Sequence, residues 1–278
     1  MRWDEVARAR TLLFVPGHRP DRFAKAAAAG ADGVVLDLED AVSPADKDAA
    51  REHVRAWLAD GNAAVVRVNG ADTEWHDDDL AALTGLVTVV MLPKSEAASE
   101  VTATAAALGS GSGIVPLIET AEGVLGAREI CAAPVTVRPA FGSIDLAAQL
   151  GVNPDSQRAL LQARSSLVLA AAAAGCAAPL DGVTAALDDQ QRLVGDTEHA
   201  LELGFTGKLC VHPRQIAPVH AALAPSEDEL RWARGVLAAA AGESVAVYEG
   251  QMVDRPVILR AQRILSRAGE GVGQPADG

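Results

Sequence analysis

The sequence predicts an α/β fold: a TIM (β/α)8 barrel with a C-terminal helical extension. Eight short runs rich in β-branched residues recur along the chain, and alanine-rich stretches with the apolar spacing of amphipathic helices separate them. The runs are almost continuously apolar, which is typical of parallel strands covered by helices on both faces. Polar side chains fall at the carboxyl ends of the runs, and in a barrel those ends form the rim where active sites lie.

The predicted strands follow one another as β-then-α units. They are Thr11–Gly17, Gly33–Asp40, Ala63–Asn69, Leu86–Lys94, Gly113–Thr120, Val135–Asp145, Leu180–Leu187 and Gly207–Pro213. A doubly wound open sheet is the alternative for such alternation, but no Gly-x-Gly-x-x-Gly motif follows the first run. We therefore expect residues 1–222 to form the barrel.

The pattern changes after the eighth unit, where residues 223–268 are predicted to be helical and to lie outside the barrel. Ser226 is the predicted N-cap of a helix that runs to Ala241, with Glu229 at the capping-box position. Asp254 is the predicted N-cap of the last helix. Residues 269–278 are rich in glycine and are expected to form a disordered tail.

Composition excludes several classes of protein. The 24 Lys and Arg residues face 37 Asp and Glu residues, and the resulting net charge of −13 opposes binding to nucleic acid or to an anionic membrane. The three cysteines are scattered without a Cys-x-x-Cys pair, and the N-terminal residues lack the apolar stretch of a secretory signal. We expect a cytoplasmic protein with neither nucleic acid nor membrane as partner.

Two carboxylates at the ends of successive predicted strands suggest a metal site. Glu119 and Asp145 would supply two hard oxygen ligands and leave further positions to water and substrate, as Mg²⁺ requires. The alternative is that both acids stabilise the N-termini of the following helices through the helix dipole. The spacing leaves both interpretations open.

Other polar residues at the rim are candidates for binding an anionic substrate. Arg67 ends an otherwise apolar strand, and its guanidinium matches a carboxylate or phosphate bidentately, although an ion pair with Asp37 or Glu39 would also explain it. Those two acids share one strand face and are candidates for holding water or substrate. The rim set also contains Asp40, Asn69, Lys94 and His212.

The segment after the first strand carries a local basic patch. His18, Arg19, Arg22 and Lys25 lie within PGHRPDRFAK, which suits a phosphorylated ligand, although solvated surface residues would give the same pattern. His212 has three possible uses, as a general base, a metal ligand or a structural residue, and the structural use is the commonest. No Gly-x-Ser-x-Gly elbow supports nucleophilic catalysis.

Several segments, taken in order, resemble one known family. RTLLFVPG, VVLDLEDAV, VVRVN, LPK, PLIETAEGV, AFGSIDLAAQLG, GFTGKLCVHPRQI and YEGQMVDRPVILRAQ are similar to segments of the citrate lyase β-subunit-like branch of the HpcH/HpaI aldolase family. The resemblance covers the chain from Arg10 to about Leu265. It implies a Mg²⁺-dependent TIM barrel, a homotrimer or hexamer, that makes or breaks C–C bonds between an acyl thioester enolate and an α-keto acid.

The resemblance also implies roles for individual residues. Glu119 of LIET and Asp145 of FGSIDL would bind Mg²⁺, with Mn²⁺ as a substitute, and Gly142 would lie against the substrate. Arg67 of RVN would grip the keto-acid carboxylate. Asp254 in GQMVDRP would be the acid/base, on a lid that residues 223–268 form over a neighbouring subunit's site.

Three reactions follow from the resemblance. The lid motif favours a lyase or synthase that acts on malyl-CoA or citramalyl-CoA, with glyoxylate or pyruvate as the keto acid. A malyl-CoA thioesterase would use the same residues, and a citrate lyase β subunit would take a citryl thioester on an acyl-carrier protein. Arg19 and Lys25 could meet either CoA phosphates or the acidic face of a carrier.

Overall fold

The computed structural model describes residues 1–241 and 246–270. It contains a closed barrel of eight parallel strands in sequence order, and β8 pairs with β1 to complete the ring. The predicted TIM barrel is confirmed. Its strands are β1 (Thr11–Pro16), β2 (Gly33–Asp37), β3 (Val65–Arg67), β4 (Val89–Leu92), β5 (Gly113–Ile118), β6 (Ala140–Phe141), β7 (Leu180–Asp181) and β8 (Gly207–Cys210).

Helices precede the first strand and follow every strand. They are α1 (Trp3–Arg8), α2 (Phe23–Ala27), α3 (Lys47–Ala59), α4 (His76–Leu83), α5 (Ala98–Leu108), α6 (Ala121–Leu125), α7 (Ala127–Ala132), α8 (Ser143–Leu150), α9 (Leu161–Ala174), α10 (Gln190–Leu203) and α11 (Ile216–Leu223). In α3 the buried residues Ala50, Val54 and Leu58 recur every four positions and form one apolar stripe. This stripe holds the helix against its neighbours.

The interior of the barrel is filled by aliphatic side chains. Leu12, Val35, Val65, Val89 and Val115, from the first five strands, are fully buried in one cluster. Such β-branched and leucine side chains fill the layers of a barrel without polar atoms. In residues 1–241 and 246–270, no helix is long and apolar enough to cross a membrane.

The sixth strand is much shorter than the sequence predicts. The predicted run Val135–Asp145 contains only the two residues of β6, with one isolated bridge between Thr136 and Ile114. Pro139 has no N–H to donate to a ladder, and helix α8 begins at Ser143. Asp145 therefore lies in the first turn of α8 and does not end a strand, which corrects its predicted position.

A buried arginine closes the amino end of the barrel. Arg138, which is fully buried, donates to the backbone oxygens of Val6 (3.3 Å) and Ala9 (2.7 Å), which precede β1. It also donates to the Ala178 oxygen before β7 (2.8 Å) and to Thr206 Oγ1 before β8 (2.7 Å). One side chain thus joins the segments that enter three different strands.

The chain divides into two compact units, Met1–Ala222 and Leu223–Gly278. In the second unit, α12 (Glu227–Ala240), the antiparallel pair β9 (Ala246–Tyr248) and β10 (Gln251–Val253), and α13 (Arg255–Arg267) follow one another. The predicted N-caps are confirmed, because Ser226 Oγ accepts from Glu229 N (3.2 Å) and Asp254 Oδ1 accepts from Val257 N (3.1 Å). Of the predicted tail, residues 271–278 lie outside the described residues.

Candidate active site

Arg67 and Asp37 form a bidentate ion pair at the carboxyl ends of β3 and β2. The two residues are register partners, and Arg67 Nε and Nη2 lie 2.7 and 2.6 Å from the two carboxylate oxygens of Asp37. Arg67 Nη1 lies 2.8 Å from Glu39 Oε2, and the arginine side chain is only 11% exposed. Asp37 Oδ1 also accepts from Glu39 N (2.9 Å). These contacts hold the guanidinium rigidly among acids.

Glu119 is a buried carboxyl that follows β5. Its side chain lies against Gly142, and its Oε1 accepts a hydrogen bond from Lys94 N (2.9 Å). Burial, together with the negative charges of Asp145 and Glu39, raises the pKa of Glu119 to about 8, although Lys94 acts in the opposite direction. A carboxylate in such surroundings is stabilised by a bound cation.

Asp145, half-buried in the first turn of α8, is the second acid of this cluster. Its charge is close enough to raise the pKa of Glu119. Two carboxylates with hard oxygen donors fit a divalent cation such as Mg²⁺. In the part of the chain that the structure describes, no group of three or more His, Cys, Asp or Glu residues is placed to hold a metal. A cation on Glu119 and Asp145 would thus take its other ligands from water and substrate.

Lys94 follows β4 and faces the same acids. Its ammonium group contacts Glu39 Oε1, and its side chain is 40% exposed. Burial acts to lower the pKa of Lys94, but the hydrogen bond with Glu39 and the surrounding carboxylates raise it above its ordinary value. Lys94 therefore carries a positive charge at the mouth of the barrel.

A buried network behind these residues fixes the ends of β2 and β3. Lys47 Nζ donates to the backbone oxygens of Leu38 (2.7 Å) and Glu39 (2.8 Å) and to Asn69 Oδ1 (2.6 Å). Asp79 Oδ2 accepts from Asn69 N (2.9 Å) and from Asn69 Nδ2 (2.6 Å). No sequence pattern singled out Lys47 and Asp79, because polar residues on helices are ordinarily solvated.

A second buried network lies at the ends of β7 and β8. Lys208 Nζ donates to Asp181 Oδ2 (2.8 Å) and to the Gly182 oxygen (2.7 Å), and Arg164 Nε donates to Asp181 Oδ1 (2.9 Å). This network was not among the sequence predictions either. One sequence signal did point to it: Asp181 and Lys208 lie within apolar runs, and charged side chains in buried strands require partners.

The remaining predicted residues occupy other places. Arg19 Nε and Nη2 bind Asp21 (2.9 and 2.8 Å), and Lys25 is exposed on α2, so both lie on the segment after β1. His212 Nδ1 accepts from the backbone N of Arg214 (3.1 Å), which is a structural use. Asp254, the N-cap of α13, belongs to the C-terminal unit.

An eight-stranded parallel barrel with charged residues at its carboxyl rim defines the class of TIM-barrel enzymes. Residues 170–270 match the C–C bond lyases of the TIM-barrel fold. Residues 10–213 match the HpcH/HpaI aldolase/citrate lyase family. The chain belongs to this family, as the resemblance implied, and is a lyase of the citrate lyase β-subunit-like kind.

Similar proteins span nearly the whole chain. A citrate lyase subunit beta-like protein of Mycobacterium tuberculosis is 44% identical, over 94% of this chain and 96% of the relative. A (3S)-malyl-CoA thioesterase of Cereibacter sphaeroides is 36% identical, over 93% of this chain and 94% of the relative. The crystal structure of M. tuberculosis CitE in complex with magnesium, acetoacetate and coenzyme A has a TM-score of 0.82 at 41% identity and covers 95% of this chain and 99% of CitE.

Proposed function

We propose that this protein is a Mg²⁺-dependent lyase or synthase for a β-hydroxyacyl-CoA of the malyl-CoA or citramalyl-CoA type. The observation that carries the proposal is the buried Glu119 carboxyl beside Asp145, within a rim that also carries Arg67 and Lys94. The likeness to CitE, whose structure contains magnesium, acetoacetate and coenzyme A, supports the same ligand classes here.

Glu119 and Asp145 are the proposed metal ligands. A divalent cation held there, Mg²⁺ or in its place Mn²⁺, would supply Lewis-acid polarisation of the substrate's oxygens. The Lys94 N–H fixes the orientation of Glu119, and Gly142 leaves the space in which that carboxyl lies. These residues preorganise the site before substrate arrives.

The proposed binding site for the α-keto acid is lined by Arg67, Asp37 and Glu39. The bidentate pair with Asp37 holds Arg67 in place, so that its charge stabilises a keto-acid carboxylate without reorganisation. Arg19 and Lys25, on the segment after β1, are proposed to meet the phosphates of CoA.

Asp254 is the proposed acid/base. In cleavage, a base removes the hydroxyl proton, and the C–C bond breaks so that its electron pair passes to the acyl-CoA enolate while the hydroxyl carbon becomes the carbonyl of glyoxylate or pyruvate. Asp254, in its protonated form, then gives its proton to the enolate carbon. In condensation it removes that proton. We propose that residues 223–268 form a lid over a neighbouring subunit's site in a homotrimer or hexamer, and that the protein acts in the cytoplasm.

A thioesterase is the second candidate, because one relative is a (3S)-malyl-CoA thioesterase of similar length. Hydrolysis of malyl-CoA would give malate and free CoA, whereas C–C cleavage would give acetyl-CoA and glyoxylate. The products separate the two reactions.

The test is a mass-spectrometric product assay of the purified protein with malyl-CoA and with citramalyl-CoA, each in Mg²⁺ and in EDTA. We expect Mg²⁺-dependent acetyl-CoA with glyoxylate or pyruvate. Free CoA with malate or citramalate would replace the lyase with the thioesterase, and turnover of neither substrate would refute both.

A further inference from the structure

Lys94 has a backbone conformation that lysine disfavours. Its φ is +49°, in the left-handed region that glycine and asparagine enter at lower cost. The next residue, Ser95, fixes this turn through two hydrogen bonds. Ser95 N donates to the Leu117 oxygen (3.2 Å), and Ser95 Oγ donates to the Leu92 oxygen (2.9 Å). A lysine held in such a conformation at the mouth of a barrel indicates that its side chain has a use there.

The backbone N–H of Lys94 positions Glu119, one of the proposed metal ligands. The left-handed turn directs the Lys94 N–H at Glu119 Oε1, 2.9 Å away. Any residue that tolerates this conformation supplies the same N–H. The backbone contact alone therefore gives no reason for a lysine at this position.

The side chain of Lys94 is the more accessible cation at the acid cluster. It is 40% exposed, whereas Arg67 is 11% exposed and faces Asp37 and Glu39 with its three nitrogens. If the ammonium group of Lys94 moves from Glu39 to another anion, Glu39 keeps Arg67 Nη1 at 2.8 Å. Glu39 gives up the hydrogen bond from Lys94 in this exchange but keeps Arg67 as a cationic neighbour.

We propose that Lys94 is a substrate-binding residue whose ammonium group exchanges Glu39 for the carboxylate of the α-keto acid, while its backbone N–H positions Glu119. The ligand class rests on the proposed function. A charge-assisted hydrogen bond to a carboxylate is among the stronger polar contacts that a binding site can offer.

The test is isothermal titration calorimetry, first with Mg²⁺ alone and then with pyruvate in the presence of Mg²⁺. In Lys94→Asn, pyruvate affinity should fall about tenfold or more, because one charge-assisted hydrogen bond is lost. Mg²⁺ affinity should not fall, because asparagine tolerates the left-handed turn and the loss of a positive charge beside Glu119 does not disfavour a cation. Lys94→Arg keeps the charge and should recover part of the pyruvate affinity.

Two further variants separate the side chain from the backbone. Lys94→Val should weaken Mg²⁺ binding as well, because a β-branched residue resists a positive φ. Arg55→Asn removes one charge from an exposed ion pair with Glu52 on α3 and should change neither affinity. Circular dichroism establishes that each variant is folded.

Two outcomes overturn the inference: wild-type pyruvate affinity in Lys94→Asn, or no pyruvate binding by the wild type at millimolar concentration. Equal loss of Mg²⁺ binding in the Asn and Val variants would also overturn it. Calorimetry does not depend on turnover. A protein that binds pyruvate through Lys94 but cleaves neither thioester would therefore refute the proposed function and leave the inference standing.

Discussion

The side chain of Glu119 occupies the space beside Gly142 that any larger residue would need. A Cβ on Gly142 would lie 2.3 Å from Glu119 Cβ and 2.5 Å from its Oε2. Neither distance is sterically allowed, so the glycine between β6 and α8 determines where the carboxyl of Glu119 lies. The FGSIDL segment thus serves the proposed metal site through its glycine as well as through Asp145.

Gly142→Ala should displace Glu119 and reduce Mg²⁺ affinity and turnover by about 100-fold, as expected when a catalytic group is misplaced by about 1 Å. Calorimetry with Mg²⁺ and the product assay measure the two effects. The control is Gly195→Ala in α10, where nothing lies within 4 Å of an added Cβ. Wild-type Mg²⁺ affinity in Gly142→Ala would contradict the role of Glu119.

Arg67→Lys should destabilise the fold by about 1–3 kcal/mol, because one ammonium cannot replace the fork that satisfies both oxygens of buried Asp37. Urea unfolding monitored by circular dichroism measures the change. Arg55→Lys is the matched control, since Arg55 makes a similar bidentate contact with Glu52 on the surface and should unfold like wild type. Equal stability of the two variants would show that the Asp37 pair is not stabilising.

Asp254→Asn should lower kcat by about 100-fold to 10,000-fold, the contribution that general acid/base groups make. Asparagine is an equally good N-cap, so α13 and Mg²⁺ binding should be preserved. Asp254→Ala should abolish turnover, leave Mg²⁺ binding intact and also lose the cap. Ser226→Ala, which removes the cap of α12, controls for the effect of cap loss. Unimpaired turnover in Asp254→Asn would remove this residue from the mechanism.

Asp181→Asn should destabilise the barrel by about 3–5 kcal/mol, because it leaves Lys208 and Arg164 as buried charges without their carboxylate. Asp188→Asn, in an exposed pair with Arg214, should have no measurable effect on the urea midpoint. A small loss in Asp181→Asn, comparable to that of the control, would be inconsistent with the network's proposed contribution.

The network around Asp181 also makes the stability of the fold depend on pH in the acidic range. Burial acts to raise the pKa of Asp181, but the charges and hydrogen bonds of Lys208 and Arg164 lower it below its ordinary value. Because the folded-state pKa lies below the unfolded one, the contribution is present above about pH 4 and is lost as the pH falls through the folded pKa. Wild-type stability should therefore decline more steeply than that of Asp181→Asn below about pH 4 in urea unfolding.

The order of the strands and the placement of the candidate residues at the strand ends could be predicted, because both depend on local patterns. The apolar runs, with polar residues at their ends, predicted Asp37, Arg67 and Glu119 at one rim of the barrel. The predicted position of Asp145 at the end of a strand was wrong, since β6 ends at Phe141 and α8 begins at Ser143. Lys94 was predicted at the rim, but its left-handed turn depends on tertiary contacts that no short motif encodes.

The buried supporting networks could not be predicted. Lys47 is 22 residues from Asn69, and Arg164 is 17 residues from Asp181, so nothing local joins these partners. Both cations lie on helices, where sequence patterns favour a solvated position. Their pairing becomes visible only when the barrel brings the helices against the strand ends.

Arg138 ties closure of the barrel to a late stage of chain synthesis. Its guanidinium meets the Val6 oxygen, 132 residues earlier, and Thr206 Oγ1, 68 residues later. While the ribosome still holds the chain short of Thr206, this buried cation lacks one of its acceptors, and the segment that leads into the eighth strand is not yet tied to the others. The amino end of the barrel can therefore be sealed only after most of the protein has emerged, which makes ring closure a late event in its folding.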